Sequence, residues 1–263
     1  KDLKKNTLVA ISEENLISDP LRMLRGLRLL AEFNFFLEDK TYSLFDLNAE
    51  LLAKKVSPER IKYEIQRLIN GDYADFVIPL LKRTGLLNPW RDKSKVSISE
   101  EIGLKASKEF QCNELSIALP LARLVDLISD RGLCNLRFSK KEIQACKVLR
   151  KWQKRNDGSA FSSLNEFDLF NLHLELENHL PALIIDLPLD SQSVWLKRWR
   201  DPFDPLFHPS SPLNGNTIQE ILNVKKGPFL GEIIEHLSRE KAFNRLHTYE
   251  EAIELARNLW HQK

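Results

Sequence analysis

Cysteine is scarce in this chain, at three in 263 residues. Cys112, Cys134 and Cys146 are odd in number and include no Cys-x-x-Cys pair, which argues against a disulfide framework and a zinc site and makes a reducing cytoplasm the simplest home. Long hydrophobic runs are missing too. The longest apolar stretch, Leu180 to Leu189, holds two prolines and an aspartate and is too short to span a bilayer; no signal-peptide pattern is visible. Charge of one sign is equally absent. With 39 basic and 37 acidic residues the net charge is only +2, so polyanion binding would have to come from local clusters.

What the chain does have is helical punctuation. At 43% hydrophobic it can bury a substantial core, more naturally divided into two or three units than held in one. Residues 6 to 12 read as the one good strand. Helices are expected over residues 20 to 33, about 40 to 54, 58 to 70 behind Ser57, and 73 to 83, the last closing at Gly85. Residues 88 to 99 look like a linker. Capping-box spacings then recur at Ser139 with Glu142, Ser163 with Glu166 and Thr248 with Glu251, and Gly227-Pro228 opens a helix. The expected class is all-α, with at most one short N-terminal strand.

The most informative segment is Asp19-Pro20-Leu21-Arg22-Met23-Leu24-Arg25-Gly26-Leu27-Arg28. On a helix advancing about 100° per residue, side chains three apart fan over one side, so Asp19, Arg22, Arg25 and Arg28 form a polar comb opposite the leucines. One reading is a capped basic helix, with Asp19 as N-cap and Pro20 at the first helical position. The other concerns base recognition. A carboxylate only accepts hydrogen bonds and a guanidinium only donates them. Cytosine and adenine both present an amine beside an unprotonated ring nitrogen, so an adjacent Asp and Arg complement those two bases and mismatch guanine and uracil. Arg25 and Arg28 could hold triphosphate oxygens.

The run from Ser18 to Arg28 resembles the nucleotide-selecting motif of class II tRNA nucleotidyltransferases, the bacterial CCA-adding enzymes and their poly(A) polymerase relatives. Asp2-Leu3-Lys4 resembles the end of that family's catalytic-head motif. Ser57-Pro58-Glu59-Arg60-Ile61-Lys62-Tyr63-Glu64 resembles its neck motif, and Leu213-Asn214-Gly215, Gly227-Pro228-Phe229-Leu230-Gly231 and Thr248-Tyr249-Glu250-Glu251-Ala252 are similar to its C-terminal region. One departure is Ser18, where the family usually has Glu.

The resemblance implies a multi-lobed helical array: 1–12 as the end of a truncated head, 13–92 a neck, 93–200 a body and 201–263 a tRNA-binding tail, with Pro202, Pro205, Pro209 and Pro212 punctuating the last boundary. It implies that Asp19 and Arg22 template CTP or ATP, that Arg25 and Arg28 hold the phosphates or brace that pair, and that Arg60 and Glu64 support the helix. Magnesium would be bound by carboxylates of the head. Because no Asp-x-Asp occurs in a strand context and the chain begins at Lys1, it is expected to be a piece cut just inside that head, without catalytic or metal-binding residues and inactive alone. The implied activity is addition of CCA, or of CC or A only, to tRNA; a poly(A) polymerase and a non-catalytic RNA-binding module remain as rivals.

Weaker signals remain. Lys147, Arg150, Lys151, Lys154 and Arg155 stand at helical spacings near Trp152, as phosphate contacts or as a solvated face. Gly227 and Gly231 open a helix whose N–H groups could receive a tRNA phosphate, or they merely allow close packing. Arg60 and Glu64 are spaced for an ordinary ion pair. His173 and His179 bracket Glu175 and Glu177 but share a helical face poorly, which favours a structural role, and the tryptophans read as core or rim residues. Asp126 has no histidine before it to form a metal site.

Overall fold

A computed structural model of the chain describes residues 6–92 and 102–261. The expected head motif at Asp2 to Lys4 and residues 93 to 99 of the expected linker lie outside them. The first lobe runs β1 (Thr7–Leu8), α1 (Glu13–Ser18), α2 (Leu21–Phe33), β2 (Phe36–Leu37), α3 (Asp39–Leu47), α4 (Glu50–Lys55), α5 (Pro58–Ile69) and α6 (Ala74–Arg83). The strand expected at residues 6 to 12 is present but short. Its parallel partner β2, pairing Thr7 with Phe36 and Leu8 with Leu37, was not legible in the sequence.

Helix α2 forms because Leu21, Leu24, Leu27 and Leu30 recur every three residues on one buried face, each worth about 2 kcal/mol in burial. It ends at Asn34, whose left-handed φ of 54° lets its N–H donate to the Leu30 carbonyl. That face lies on α5 and α6. The approach is tight at Gly71, where a Cβ would sit 2.6 Å from the Ala31 carbonyl oxygen, the same oxygen that accepts from the Tyr73 N–H at 2.9 Å. The single helix expected over 40 to 54 is broken in two. The Asn48 side-chain amide donates to the Leu44 carbonyl at 3.0 Å and to Glu13 at 3.2 Å, an alternative to continuing the helical ladder.

The second lobe comprises α7 (Cys112–Leu127), α8 (Asp130–Asn135), α9 (Lys140–Arg155), α10 (Glu166–Leu176), α11 (Leu180–Ile184) and α12 (Leu189–Arg200). The apolar stretch at α11 is its centre: every residue from Leu180 to Ile184 is buried. One continuous hydrophobic cluster runs from Leu16 through both lobes to Phe207 and takes in Ala242. The described part of the expected linker is no free tether. Trp90 is buried, and its carbonyl accepts from both the backbone N–H and the hydroxyl of Ser129 at 2.9 and 2.8 Å.

A separate small core of Leu213, Ile218, Ile233, Leu237, Ala252 and Ala256 joins α13 (Gly215–Leu222), α14 (Pro228–Ala242) and α15 (Tyr249–His261). Arg245 fastens this bundle to the second lobe by pairing with both Glu240 and Glu166 of α10. Ser139 with Glu142 and Thr248 with Glu251 make reciprocal caps as their spacing predicts. At α10 the cap is Asn165, which accepts from the Asp168 N–H at 2.8 Å; the Ser163 hydroxyl turns to Asp157 instead, so that expected box is absent.

The cysteines divide by burial. Cys112 and Cys134 are exposed, whereas desolvation pushes the Cys146 thiol up to about 12. A thiol reagent at neutral pH should therefore titrate two groups in the native chain and the third only after unfolding; rapid native modification of Cys146 would contradict this burial.

Candidate functional site

The comb forms where α1 meets α2. Asp19 closes α1 with its backbone N–H on the Asn15 carbonyl, and no side-chain bond caps α2. The capped-helix reading of Asp19 is thus corrected: Pro20 holds the N-cap position and the Asp19 carboxylate is left over. Three guanidinium groups surround it. Arg22 Nε lies 3.7 Å from Oδ2, Arg25 Nη1 3.9 Å from the same oxygen, and Arg60 Nη2 3.9 Å from Oδ1. These separations give Coulomb attraction without hydrogen bonds, so the acceptor sites of Asp19 and donors of Arg22 stay open. Arg22, Arg25 and Arg60 are about half exposed and Asp19 is 30% exposed.

Glu64 explains how arginines crowd together here. It falls on the apolar stripe of α5 with Ile61, Ile65 and Leu68, and is carried into the core. A carboxylate so placed needs cations. Oε1 accepts from Arg25 Nε at 2.9 Å, and Oε2 lies 2.8 Å from Arg28 Nε. The expected Arg60–Glu64 pair does not form: Arg60 turns to Asp19, while Glu64 serves the far end of the comb. Arg28 is only 12% exposed, held between Glu64 and Glu32, and Glu32 also pairs with Arg67 at 2.8 Å. Sequence reading missed Glu32 and Arg67. The signal lay in spacing, since Glu32 is four residues after Arg28 on a helix.

Beside the comb lies a cavity of about 330 Å³ with an apolar floor that includes Leu8, Leu16 and Phe45, and with Arg22 and Arg25 at its lip. Gly26 brings the α2 backbone to that floor; a Cβ there would sit 2.8 Å from a Leu8 methyl.

The chain is 27% identical, over 96% of its length, to the CC-adding tRNA nucleotidyltransferase of Thermus thermophilus, and 29% identical over 96% to the CCA-adding enzyme of Lactococcus lactis subsp. cremoris. The chain belongs to the class II CCA-adding enzyme family. It spans 69% and 62% of the lengths of those two relatives. A family model described as "Probable RNA and SrmB- binding site of polymerase A" matches residues 34–90 of this CCA-adding family member. The crystal structure of the Bacillus stearothermophilus CCA-adding enzyme in complex with CTP shares its fold, with a TM-score of 0.63 at 19% identity over 99% of this chain and 67% of that one.

The magnesium that the resemblance implies finds no fit in these residues. Among the described residues no three His, Cys, Asp or Glu side chains converge to hold a metal, and Asp19, Glu32 and Glu64 each face guanidinium groups rather than one another. His173 is buried against Trp195 and Phe207.

The basic stripe on α9 divides. Arg150 pairs with Asp130 and donates to the Val125 and Ile128 carbonyls, closing the end of α7; Lys151 is held by Glu175 and Arg155 by Asp168. Lys147 and Lys154 are exposed and have no ion pair among the described residues. Trp152 is a core residue whose indole donates to Glu175. At α14 a Cβ on Gly227 or Gly231 would meet nothing within 4 Å, so close packing does not account for either glycine. No side chain caps this helix, and the exposed Lys225 and Lys226 precede it.

Proposed function

We propose that this chain supplies nucleotide selection and tRNA contact to an enzyme that extends tRNA 3′ ends with C, or with C and A. The observation that carries the reading is Asp19: a carboxylate ringed by three guanidiniums, yet hydrogen-bonded to none among the described residues. An incoming base with an amine beside a bare ring nitrogen would donate to Asp19 and accept from Arg22. Protein side chains would thereby do what a template strand does elsewhere. The apolar cavity beside them offers a floor for the base. Arg25, with one edge on Glu64 and the rest exposed, suits phosphate oxygens; Arg28, enclosed between two carboxylates, suits bracing.

Support for CTP as substrate comes from the relative solved with CTP, and for tRNA from the name of the Thermus relative. The RNA-contacting residues would be those left without protein partners: Lys147 and Lys154 on α9, and the open start of α14 at Gly227 and Gly231 with Lys225 and Lys226. Such contacts grip A-form RNA by its backbone without reading sequence. A second reading, addition of A to general RNA 3′ ends, is favoured by the polymerase-type family match over residues 34–90.

In the full-length protein, Asp19→Ala or Arg22→Ala should lower discrimination against GTP and UTP by roughly tenfold to a hundredfold, the worth of one good bidentate base contact. Incorporation on tRNAs ending before C74, C75 and A76, with a generic RNA end alongside, reads both this and the extent of addition. Unchanged nucleotide choice in both variants refutes templating by the comb.

A further inference from the structure

We infer that Glu32, a residue outside the comb, positions it for nucleotide choice through an unbroken series of ion pairs; the inference rests on the nucleotide-selecting reading above. Glu32 lies near the C-terminal end of α2, and its two oxygens are divided. Oε2 accepts from Arg28 Nη1 at 2.6 Å, and Oε1 lies 2.8 Å from Arg67 Nη2 on α5. Arg28 is shared in turn, its Nε 2.8 Å from Glu64 Oε2. Glu64 is shared again, its Oε1 accepting from Arg25 Nε at 2.9 Å. Arg25 then reaches Asp19, 3.9 Å away.

Each oxygen of Glu32 and Glu64 lies within 3 Å of a guanidinium nitrogen, the Arg28 Nε–Glu64 Oε2 contact being an ion pair without hydrogen-bond alignment, and the order Arg67, Glu32, Arg28, Glu64, Arg25 alternates in sign across the α2–α5 seam. The two central members leave little room for rearrangement while the series is intact: side-chain exposure is 12% at Arg28 and 3% at Glu64. Removing the acceptor at Glu32 frees one edge of the Arg28 guanidinium. A guanidinium with a free edge beside one carboxylate favours two-pronged pairing. Arg28 would then take both oxygens of Glu64 and draw Oε1 away from Arg25. Arg25, 45% exposed, would lose its anchor and close on Asp19, filling the acceptor sites that the base needs. Glu32 thus acts through Arg25 and needs no contact with the nucleotide.

The test uses the full-length protein with Glu32→Gln, which keeps the shape but turns an amide donor toward one of the two arginines. Steady-state incorporation should show KM for CTP and ATP raised roughly threefold to tenfold and UTP competition strengthened by a similar factor, with kcat and the KM for tRNA nearly unchanged. Glu32→Asp should recover part of the loss. In an Arg25→Ala background, Glu32→Gln should add nothing, because the residue it acts through is gone. Unchanged KM, an equal loss in both backgrounds, or a uniform fall in kcat overturns the role. If Glu32→Gln folds poorly in a melting scan, Glu32→Met removes the same acceptor from Arg28 without adding a donor and is read in the same way. Arg22→Ala separates the two readings. If it leaves nucleotide choice unchanged, the base reading fails; if it relaxes choice while Glu32→Gln does not, only the role of Glu32 falls.

Discussion

Replacing Arg123 with alanine is expected to lower the unfolding free energy by about 3–5 kcal/mol, the loss typical of breaking a buried ion pair by removing one partner. Arg123 is 4% exposed, on a face of α7 that meets the α5–α6 turn. Its guanidinium donates from Nε and Nη2 to the two oxygens of Asp75, at 3.1 and 2.6 Å, and from Nη1 to the carbonyl of Ile69 at 2.7 Å. That carbonyl ends α5, so its oxygen has no partner within the helix. Alanine would leave the Asp75 carboxylate and this carbonyl without their donors in a largely enclosed space. Because α5 also carries Glu64, the loss should extend to the comb. Urea unfolding provides the measurement, and a loss below about 1 kcal/mol would contradict the role assigned to the pair. The double variant Arg123→Met with Asp75→Asn should recover part of the stability, since it removes the stranded charge along with its partner.

The second large effect is a pH dependence that one histidine imposes. His173 is fully buried between Trp195 and Phe207, its ring 4.1 Å from that of Phe207, and neither ring nitrogen has a hydrogen-bond partner among the described residues. Desolvation, helped by the nearby Arg198 guanidinium, depresses its pKa to about 3 from an ordinary 6.5. Between those values the unfolded chain binds a proton that the folded chain does not, so stability falls as pH falls through this window and is fully restored above it. The full span corresponds to at most about 5 kcal/mol, and the part between pH 6.5 and 5 to about 2 kcal/mol. His173→Phe should match the wild type or exceed it at pH 7.5, because no hydrogen bond is lost, and should flatten the decline on acidification. Parallel slopes in urea titrations from pH 7.5 to 5 would show that His173 is protonated in the folded state or lies elsewhere.

How far the sequence could be read differs from element to element. The α2 and α5 helices, their boundaries and their buried faces follow from leucine and isoleucine spacing and from Pro58 and Asn34, all local signals. Strand β2 was invisible because two residues carry no period; Phe36 and Leu37 become a strand only when β1 lies beside them. The interruption of the 40–54 run depends on Asn48 finding Glu13 from another helix. On α9 the even spacing of five basic side chains gave no hint that three are held by acids of other elements.

The sequence by itself determined the helical class, the placement of Arg22, Arg25 and Arg28 on one side of α2 and the family to which the chain belongs. These depend on spacing within one segment, which helix geometry converts directly into a face. The tertiary structure decided who partners whom. It freed the Asp19 carboxylate from capping, gave Glu64 to Arg25 and Arg28 instead of Arg60, and brought Glu32 and Arg67 into the same series. A charged side chain pairs according to distance and desolvation in space, and both are set only when α5 packs on α2 and carries Glu64 out of water.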